Sequence, residues 1–188
     1  MNLYRIRDEA LVTKRSVFSI QQLSHLISKP KTIAKVYSSR LIQKGLASSV
    51  MRGKIAFTND EYVIACQMIE PSYISCRSAL LMHGVIQQVP KFVECCCVLN
   101  SRTYASLGIR YHKISSSLFF GFQQVEKAGS YILLADVEKA LIDAVYLNLI
   151  TKKQIRELKD SFDMEKVQTY IGKHQGWGEK KLRSWFGC

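Results

Sequence analysis

The chain has 188 residues, is 47% hydrophobic with only 10 Gly and 3 Pro, and carries a formal net charge of +12. The length suits one full domain plus a small one, and the composition excludes a disordered chain. No apolar run approaches the roughly 20 residues that span a bilayer, and the start of the chain lacks a signal peptide's apolar core, so we expect a cytoplasmic protein without a membrane partner.

The positive charge is concentrated near the N-terminal end. Residues 1–60 contain eleven Lys or Arg and three Asp or Glu, a net +8, which leaves only +4 for the remaining 128 residues. Binding to a nucleic acid releases the counterions condensed on its phosphates, and this requires a local surplus of positive charge. The distribution therefore favours a nucleic-acid partner for the N-terminal part.

Residues 19–27 predict a short helix. Ser19 can cap it, and its apolar positions repeat at helical spacing: Ile20, Leu23, Leu26 and Ile27. Pro30 ends the helix, because proline lacks an amide proton and disfavours a helical residue before it. A turn around residues 28–31 follows.

A second, basic helix comes after this turn. Thr32 caps or opens it, it runs to about Lys44, and Gly45 stands where a left-handed C-cap is expected. One stripe should face a small core: Ala34, Tyr37 and Leu41. The side chains free to meet a duplex lie on another side: Lys31, Thr32, Lys35, Ser39 and, near the edge, Ser38.

Two short strands follow, at residues 46–51 and 55–58, with Arg-Gly-Lys at 52–54 as the turn and two charges at its tip. A helix, a turn, a basic helix and a hairpin in this order predict a winged helix-turn-helix. We expect DNA contacts from Lys31, Thr32, Lys35, Ser38 and Ser39 on the recognition helix, from Arg40 and Lys44 toward the backbone, and from Arg52 and Lys54 on the wing.

The remainder predicts a mixed α/β domain with a helical C-terminal tail. A helix at 60–69 leads into it, followed by an extended segment at 71–75 and a helix at 76–83. Strands are expected at 92–99, 109–114, 118–125 and 131–134, then an amphipathic helix from Asp136 and helices at 152–159, 164–174 and 178–186. The fold class is α+β, with domains at 1–69 and 70–188.

The six cysteines indicate neither a disulfide framework nor a metal site. They are Cys66, Cys76, Cys95, Cys96, Cys97 and Cys188, and no C-x-x-C pair occurs. Cys95 to Cys97 lie in an apolar run that predicts a buried strand, where free cysteine acts as a small hydrophobe. We expect no metal and no cofactor.

Two groups of residues could carry catalysis. Ser78 with His83 could form a hydrolase pair, but no glycine-flanked nucleophile elbow surrounds Ser78. A metal-dependent nuclease could use Asp136, Glu138, Lys139 and Asp143, but its lysine normally stands two residues after the second acid, and here it directly follows Glu138. Asp136 more simply caps its helix. We expect a protein that is not an enzyme and has no catalytic residues.

Five segments carry a resemblance to a known family: PSYISCRSALLMHG at 71–84, Val-Pro at 89–90, GIRYH at 108–112, FFG at 119–121 and ADVEKALID at 135–143. They resemble the AbiEi-type antitoxins, the regulator half of type IV toxin–antitoxin operons for abortive infection, a phage defence. The resemblance, over residues 17–147, implies a winged helix that binds inverted repeats in its own promoter. It also implies a second domain, without chemistry of its own, that opposes a nucleotidyltransferase-type toxin.

The C-terminal tail has two interpretations. It combines Tyr170, Trp177, Trp185 and Phe186 with nine Lys or Arg between residues 151 and 188. The helical spacing of Leu182, Trp185 and Phe186 favours a helix that caps the domain, and a second surface for DNA or a partner is the alternative.

The function expected is therefore a DNA-binding transcriptional repressor and antitoxin, whose oligomeric state the sequence does not indicate. Two alternatives stay open. One is a free-standing winged-helix transcription factor with a ligand-binding or dimerisation domain. The other is a nuclease with a DNA-binding arm.

Overall fold

The computed structural model describes residues 2–174 and 178–187, and within them the chain is α+β, with nine α-helices and two sheets. Trp177 and Cys188, which entered the sequence analysis, lie outside the described residues. No helix of the described part has the length and apolarity needed to cross a membrane.

The chain divides into two compact units. The first contains the residues up to Glu70 together with Val125–Ile132, and the second contains Pro71–Gln124 and the chain from Leu133 onward. The sequence interpretation had placed residues 125–132 in the second domain.

The buried side chain of Gln67 explains why this segment belongs to the first unit. Its amide nitrogen donates to Ser130 Oγ and to the Tyr131 carbonyl, both at 2.9 Å. Its carbonyl oxygen accepts from the backbone nitrogens of Ser16 and Val17. The side chain of Gln67 is 0% exposed, and these contacts join residues that are far apart in the chain. No local sequence pattern predicts them.

The first unit runs α1 (Leu3–Val12), β1 (Val17–Ser19), α2 (Ile20–Leu26), α3 (Lys31–Gln43), β2 (Ser48–Met51), β3 (Lys54–Ala56) and α4 (Glu61–Met68). Its three strands form an antiparallel sheet in the order β1-β3-β2, with Val17 opposite Ala56 and an irregularity between Ser49 and Met51. The core combines residues from the first three helices and the sheet: Ile6, Ala10, Phe18, Leu23, Ile27, Ala34, Leu41 and Ile55.

Local chemistry explains most of these boundaries. Ser19 and Gln22 form a capping box at the start of α2, as the predicted cap at Ser19 required. Pro30 is the N-cap of α3, so Thr32 lies inside the first turn and does not cap the helix. Gly45 follows α3 at φ +67°, the left-handed conformation expected there. Helix α1 and strand β1 were not predicted.

The second unit contains β4 (Ser72–Ile74), α5 (Cys76–Met82), β5 (Val93–Cys97), β6 (Arg102–Tyr104), β7 (Ile109–Lys113), α6 (Val137–Tyr146), α7 (Lys152–Glu157), α8 (Met164–Lys173) and α9 (Glu179–Phe186). Its strands belong to a mixed sheet in the order β6-β7-β5-β4-β9-β8, in which β8 (Phe122–Lys127) and β9 (Ser130–Ala135) include the residues 125–132 that are assigned to the first unit. Strand β6 was not predicted, and the expected strand at 118–125 begins only at Phe122.

Burial tests two further expectations for this unit. Cys95, Cys96 and Cys97 are each 0% exposed, which confirms the buried strand. In α9, Leu182 and Phe186 are 0% and 6% exposed, and the helix packs against α6, α7 and α8. The tail therefore caps the second unit, as its apolar spacing indicated.

Candidate nucleic-acid interface

Helix α3 presents four longitudinal rows of side chains, because residues three, four or seven apart share a face of an α-helix. The buried row is Ala34, Ser38 and Leu41. The row on the opposite side consists of four exposed residues, Thr32, Val36, Ser39 and Gln43. Two exposed rows lie between them, one with Lys31, Lys35 and Ile42 and the other with Ile33, Arg40 and Lys44.

Positive charge therefore borders the outward row on both sides. Lys31 and Lys35 lie along one edge, and Arg40 and Lys44 lie along the other. Between residues 19 and 59 the sequence holds seven Lys or Arg and no Asp or Glu. An anionic partner could approach this face without meeting a carboxylate from the segment itself.

Five of the six acidic residues of the first unit form ion pairs away from α3, and the sixth, Glu61, lies in the first turn of α4. Glu9 pairs with Arg5, Asp8 with Arg7, Glu70 with Arg15, Asp60 with Lys127 and Glu126 with Lys14. Among the described residues, no ion pair involves Lys31, Lys35, Arg40, Lys44 or Arg52. These five cations keep their charge available for a partner.

Ser38 is a correction to the predicted DNA contacts. Its exposure is 7%, because it lies in the buried row between Ala34 and Leu41. Tyr37, which the sequence predicts to face the core, is partly buried and packs against the core beside this row. A side chain on the packing face cannot reach a base edge, so Ser38 leaves the candidate interface. Ser39 stays in it, although its hydroxyl donates to the Lys35 carbonyl at 3.1 Å.

Lys54 is the second correction. Its ammonium donates to the carbonyl of Met68, the last residue of α4, at 2.6 Å. Burial lowers the pKa of Lys54, and nearby Glu70 opposes that shift. The side chain thus joins β3 to the end of α4. At the tip of the hairpin only Arg52 offers an exposed charge, beside Gly53 at φ +78°.

Val36 and Gln43 are residues of the outward row that sequence reasoning missed. The prediction selected basic and small polar side chains on α3 and left out an exposed valine and a glutamine near the helix end. A helical projection centred on Ala34 and Leu41 would have placed both of them opposite the core.

The second unit contains a buried polar network around Asp143. Lys139 and Asp143 form an ion pair one turn apart on α6, and both are 0% exposed. Asp143 Oδ2 also accepts hydrogen bonds from the Tyr73 hydroxyl at 2.8 Å and from Ser75 Oγ at 2.7 Å. Burial, together with the charge of Asp143, raises the pKa of Tyr73 well above its usual range.

Aromatic rings and a glycine enclose the lysine of this network. The Lys139 ammonium lies 5.2 Å from the centroid of the Phe120 ring and 5.6 Å from that of Tyr73. A Cβ atom on Gly121 would stand 2.9 Å from Lys139 Cγ, and Gly121 has φ +75°. Position 121 therefore requires glycine twice over, for its backbone conformation and for the space beside Lys139.

Three of the segments that carry the family resemblance thus meet around the buried pair of Lys139 and Asp143. Tyr73 and Ser75 come from the first, Phe120 and Gly121 from the FFG segment, and Lys139 with Asp143 from the last. Ser75 occupies the N-cap position of α5, but its side chain makes no cap hydrogen bond and donates to Asp143. The four polar residues of this network, Tyr73, Ser75, Lys139 and Asp143, are all 0% exposed, which indicates a role in folding.

The candidate catalytic residues have structural partners. Asp136 caps α6 by accepting from the Lys139 backbone nitrogen, and both Asp136 and Glu138 pair with Lys166. Tyr170 donates to Asp136, and burial and this contact raise the pKa of Tyr170 to about 12. Within the described residues, no group of three or more His, Cys, Asp or Glu side chains is placed to hold a metal ion.

Ser78 and His83 make separate contacts as well. Ser78 Oγ accepts from the Glu94 backbone nitrogen at 2.9 Å, whereas His83 Nε2 lies 2.8 Å from the Ala135 carbonyl. Neither contact joins the serine to the histidine, so the geometry does not form a nucleophile and base pair.

A groove of about 430 Å³ lies in the second unit beside α5 and α7. Its lining mixes apolar and polar side chains: Arg77, Leu80, Ile86, Gln88, Val89, Pro90, Lys91, Ile150, Gln154, Glu157 and Leu158. Arg77 pairs with Glu94, a carboxylate that is 1% exposed, and this contact holds the guanidinium at the groove.

Comparison with models of known protein families gives no match, and no curated protein is significantly similar to the chain.

The buried network gives a stability prediction. Asp143→Ala should destabilise the second unit by roughly 3–5 kcal/mol, because it leaves the Lys139 ammonium buried without a countercharge. Replacing both partners, as Lys139→Met with Asp143→Leu, should recover most of that loss. Chemical denaturation of the full chain measures both effects. Asp160→Ala, at an exposed acid of the same unit, is the matched control and should change little. Equal stability of Asp143→Ala and the control would contradict the role given to the network.

Proposed function

We propose that the first unit is a winged helix-turn-helix that binds duplex DNA through α3. The main support is the exposed row on α3, which has cations along both edges. In addition, residues 19–59 contain no Asp or Glu. The element order α1-β1-α2-α3-β2-β3 and the strand order β1-β3-β2 support the proposal. An α-helix about 10–12 Å wide fits a major groove about 12 Å wide.

The two edges of α3 would then meet the two phosphate backbones that border the groove. Lys31 and Lys35 would face one strand, and Arg40 and Lys44 the other. Arg52, at the tip of the β2–β3 hairpin, would contact the backbone beside the helix. Thr32 and Ser39 stay in the interface as members of the outward row, whereas Ser38 and Lys54 do not belong to it.

We further propose that the chain is an autoregulating repressor and antitoxin of a type IV toxin–antitoxin operon. It would bind inverted repeats in its own promoter and oppose a nucleotidyltransferase-type toxin. The resemblance of five segments to the AbiEi-type antitoxins supports this. Because the residues of three segments lie in a buried network, they account for the fold of the second unit, and contact with a toxin would use its surface.

A second candidate is a free-standing regulator whose second unit binds a small ligand. The groove of about 430 Å³ beside α5 and α7 favours it, because it combines apolar walls with Arg77, Lys91 and Glu157. The nuclease alternative has weaker support, since Lys166 pairs with the two carboxylates that a metal would need.

The DNA proposal predicts the salt dependence of binding. A Lys31→Ala/Arg40→Ala variant should bind every duplex more weakly, and its slope of log affinity against log salt should fall by about two units, since each phosphate contact contributes roughly 0.9. Fluorescence anisotropy with the chain's promoter fragment, and with a random-sequence duplex of equal length, measures the slope.

Two controls separate this effect from a change in net charge. Lys153→Ala/Arg183→Ala removes two exposed cations of the second unit that pair with Glu157 and Glu179, and should leave the slope unchanged. On the hairpin, Arg52→Ala should lower the slope by about one unit, whereas Lys54→Met should not. Equal slopes for the α3 variant and the charge-matched control would reject α3 as the interface.

Growth of cells tests the antitoxin half. Where a nucleotidyltransferase gene adjoins the gene for this chain, its product should arrest growth and co-expression of the full chain should restore it. The Lys31→Ala/Arg40→Ala variant should protect equally well while losing repression of the promoter, because it leaves the second unit unaltered. If the neighbouring gene encodes no such enzyme, or the wild-type chain gives no protection, the free-standing regulator becomes the better proposal.

A further inference from the structure

The outward row of α3 has an exposed apolar residue at its centre. Val36 is 45% exposed and lies one turn from Thr32 on one side and Ser39 on the other. A β-branched residue at an exposed helix position contributes nothing to the core and has lower helix propensity than alanine. Neither core packing nor helix propensity therefore accounts for Val36, and its role depends on what the outward row contacts.

The same row holds no arginine or lysine. Guanine is most often read by a bidentate Arg or Lys, and on α3 the cations occupy the two flanking rows, where the phosphates would lie. The centre of the row is the apolar side chain of Val36. Thr32, which also carries a methyl group, lies one turn closer to the N-terminal end of the helix. Among the four bases only thymine presents a methyl group in the major groove, and apolar side chains recognise it by direct contact.

We propose that Val36 is a specificity-determining residue that contacts a thymine methyl group, so that the base pair beneath the centre of α3 is A·T. The proposal rests on the DNA-binding function above and deepens it, because it names the kind of sequence that α3 selects. Thr32, one turn away and nearer the N-terminal end of the helix that enters the groove, extends the same apolar contact.

The test begins with selection of duplexes from a randomised library by the full-length protein. In the best duplex, each thymine is then replaced singly by uracil, which removes only the 5-methyl group. Wild-type protein should bind about three- to tenfold more weakly after replacement at one or two positions in each half-site, as expected for loss of a buried methyl contact. Val36→Ala should bind the thymine and uracil duplexes equally at those positions.

A matched variant controls for the loss of apolar surface. Ile42 is 37% exposed on a flanking row, so Ile42→Ala should keep the wild-type preference for thymine. Val36→Ala replaces an exposed residue with a better helix former, and its circular dichroism and thermal midpoint should match those of the wild type.

Three results would overturn the inference. The wild type could select a G·C pair at the central positions, or it could bind the library without sequence preference. Uracil replacement could also weaken wild type and Val36→Ala by the same factor. Each of these results is compatible with DNA binding by α3. If the wild type bound no duplex even at low salt, both the proposed function and the inference would be overturned.

Discussion

Packing of Ala34, Ser38 and Leu41 against the core of the first unit sets the rotation of α3 about its axis. With that row inward, Thr32 and Val36 must face outward, because they lie on the opposite side of the same helix. The flanking rows, which carry the cations, then fall on both edges of the outward face. The proposed interface is thus a consequence of a small apolar core, and a rotation of the helix by one residue would bury a charge.

The second unit depends on a different constraint, a buried ion pair that must be satisfied in full. Lys139 and Asp143 can be buried together because Tyr73 and Ser75 donate to the carboxylate and aromatic rings face the ammonium. Gly121 leaves the space that the lysine stem occupies. Lys139 and Asp143, which resemble catalytic residues in the sequence, are thereby explained by folding. A site for a partner would therefore lie on the surface of the unit.

Much of the fold follows from local signals in the sequence. The cap at Ser19, the break at Pro30 and the cap at Asp136 correctly predict α2, α3 and α6. Helix α1 was missed because charged residues interrupt its apolar positions, although Ile6 and Ala10 are fully buried. The fold class could be predicted because hydrophobic periodicity is a local property.

The candidate site was harder to predict, since it depends on rotation and on distant contacts. Tyr37 and Ser38 are neighbours in the chain, and the sequence favoured the larger, more apolar one as the inward residue. The position of Lys54 beside a turn predicts a DNA-contacting charge on the wing. In the structure its ammonium donates to the carbonyl of Met68, on the following helix. Nothing in the local pattern around Lys54 indicates that contact, which exists only after the strand and helix pack.

Chemical-shift mapping by NMR tests directly whether α3 is the surface that meets DNA. A full-length sample labelled with ¹⁵N is titrated with the promoter duplex, and the perturbed amides are located on the structure. If α3 meets the duplex, the largest changes should lie along residues 31–44 and at Arg52 and Gly53, with little change around the buried pair in α6. Perturbations confined to the second unit, with α3 unaffected at saturation, would contradict DNA binding through α3.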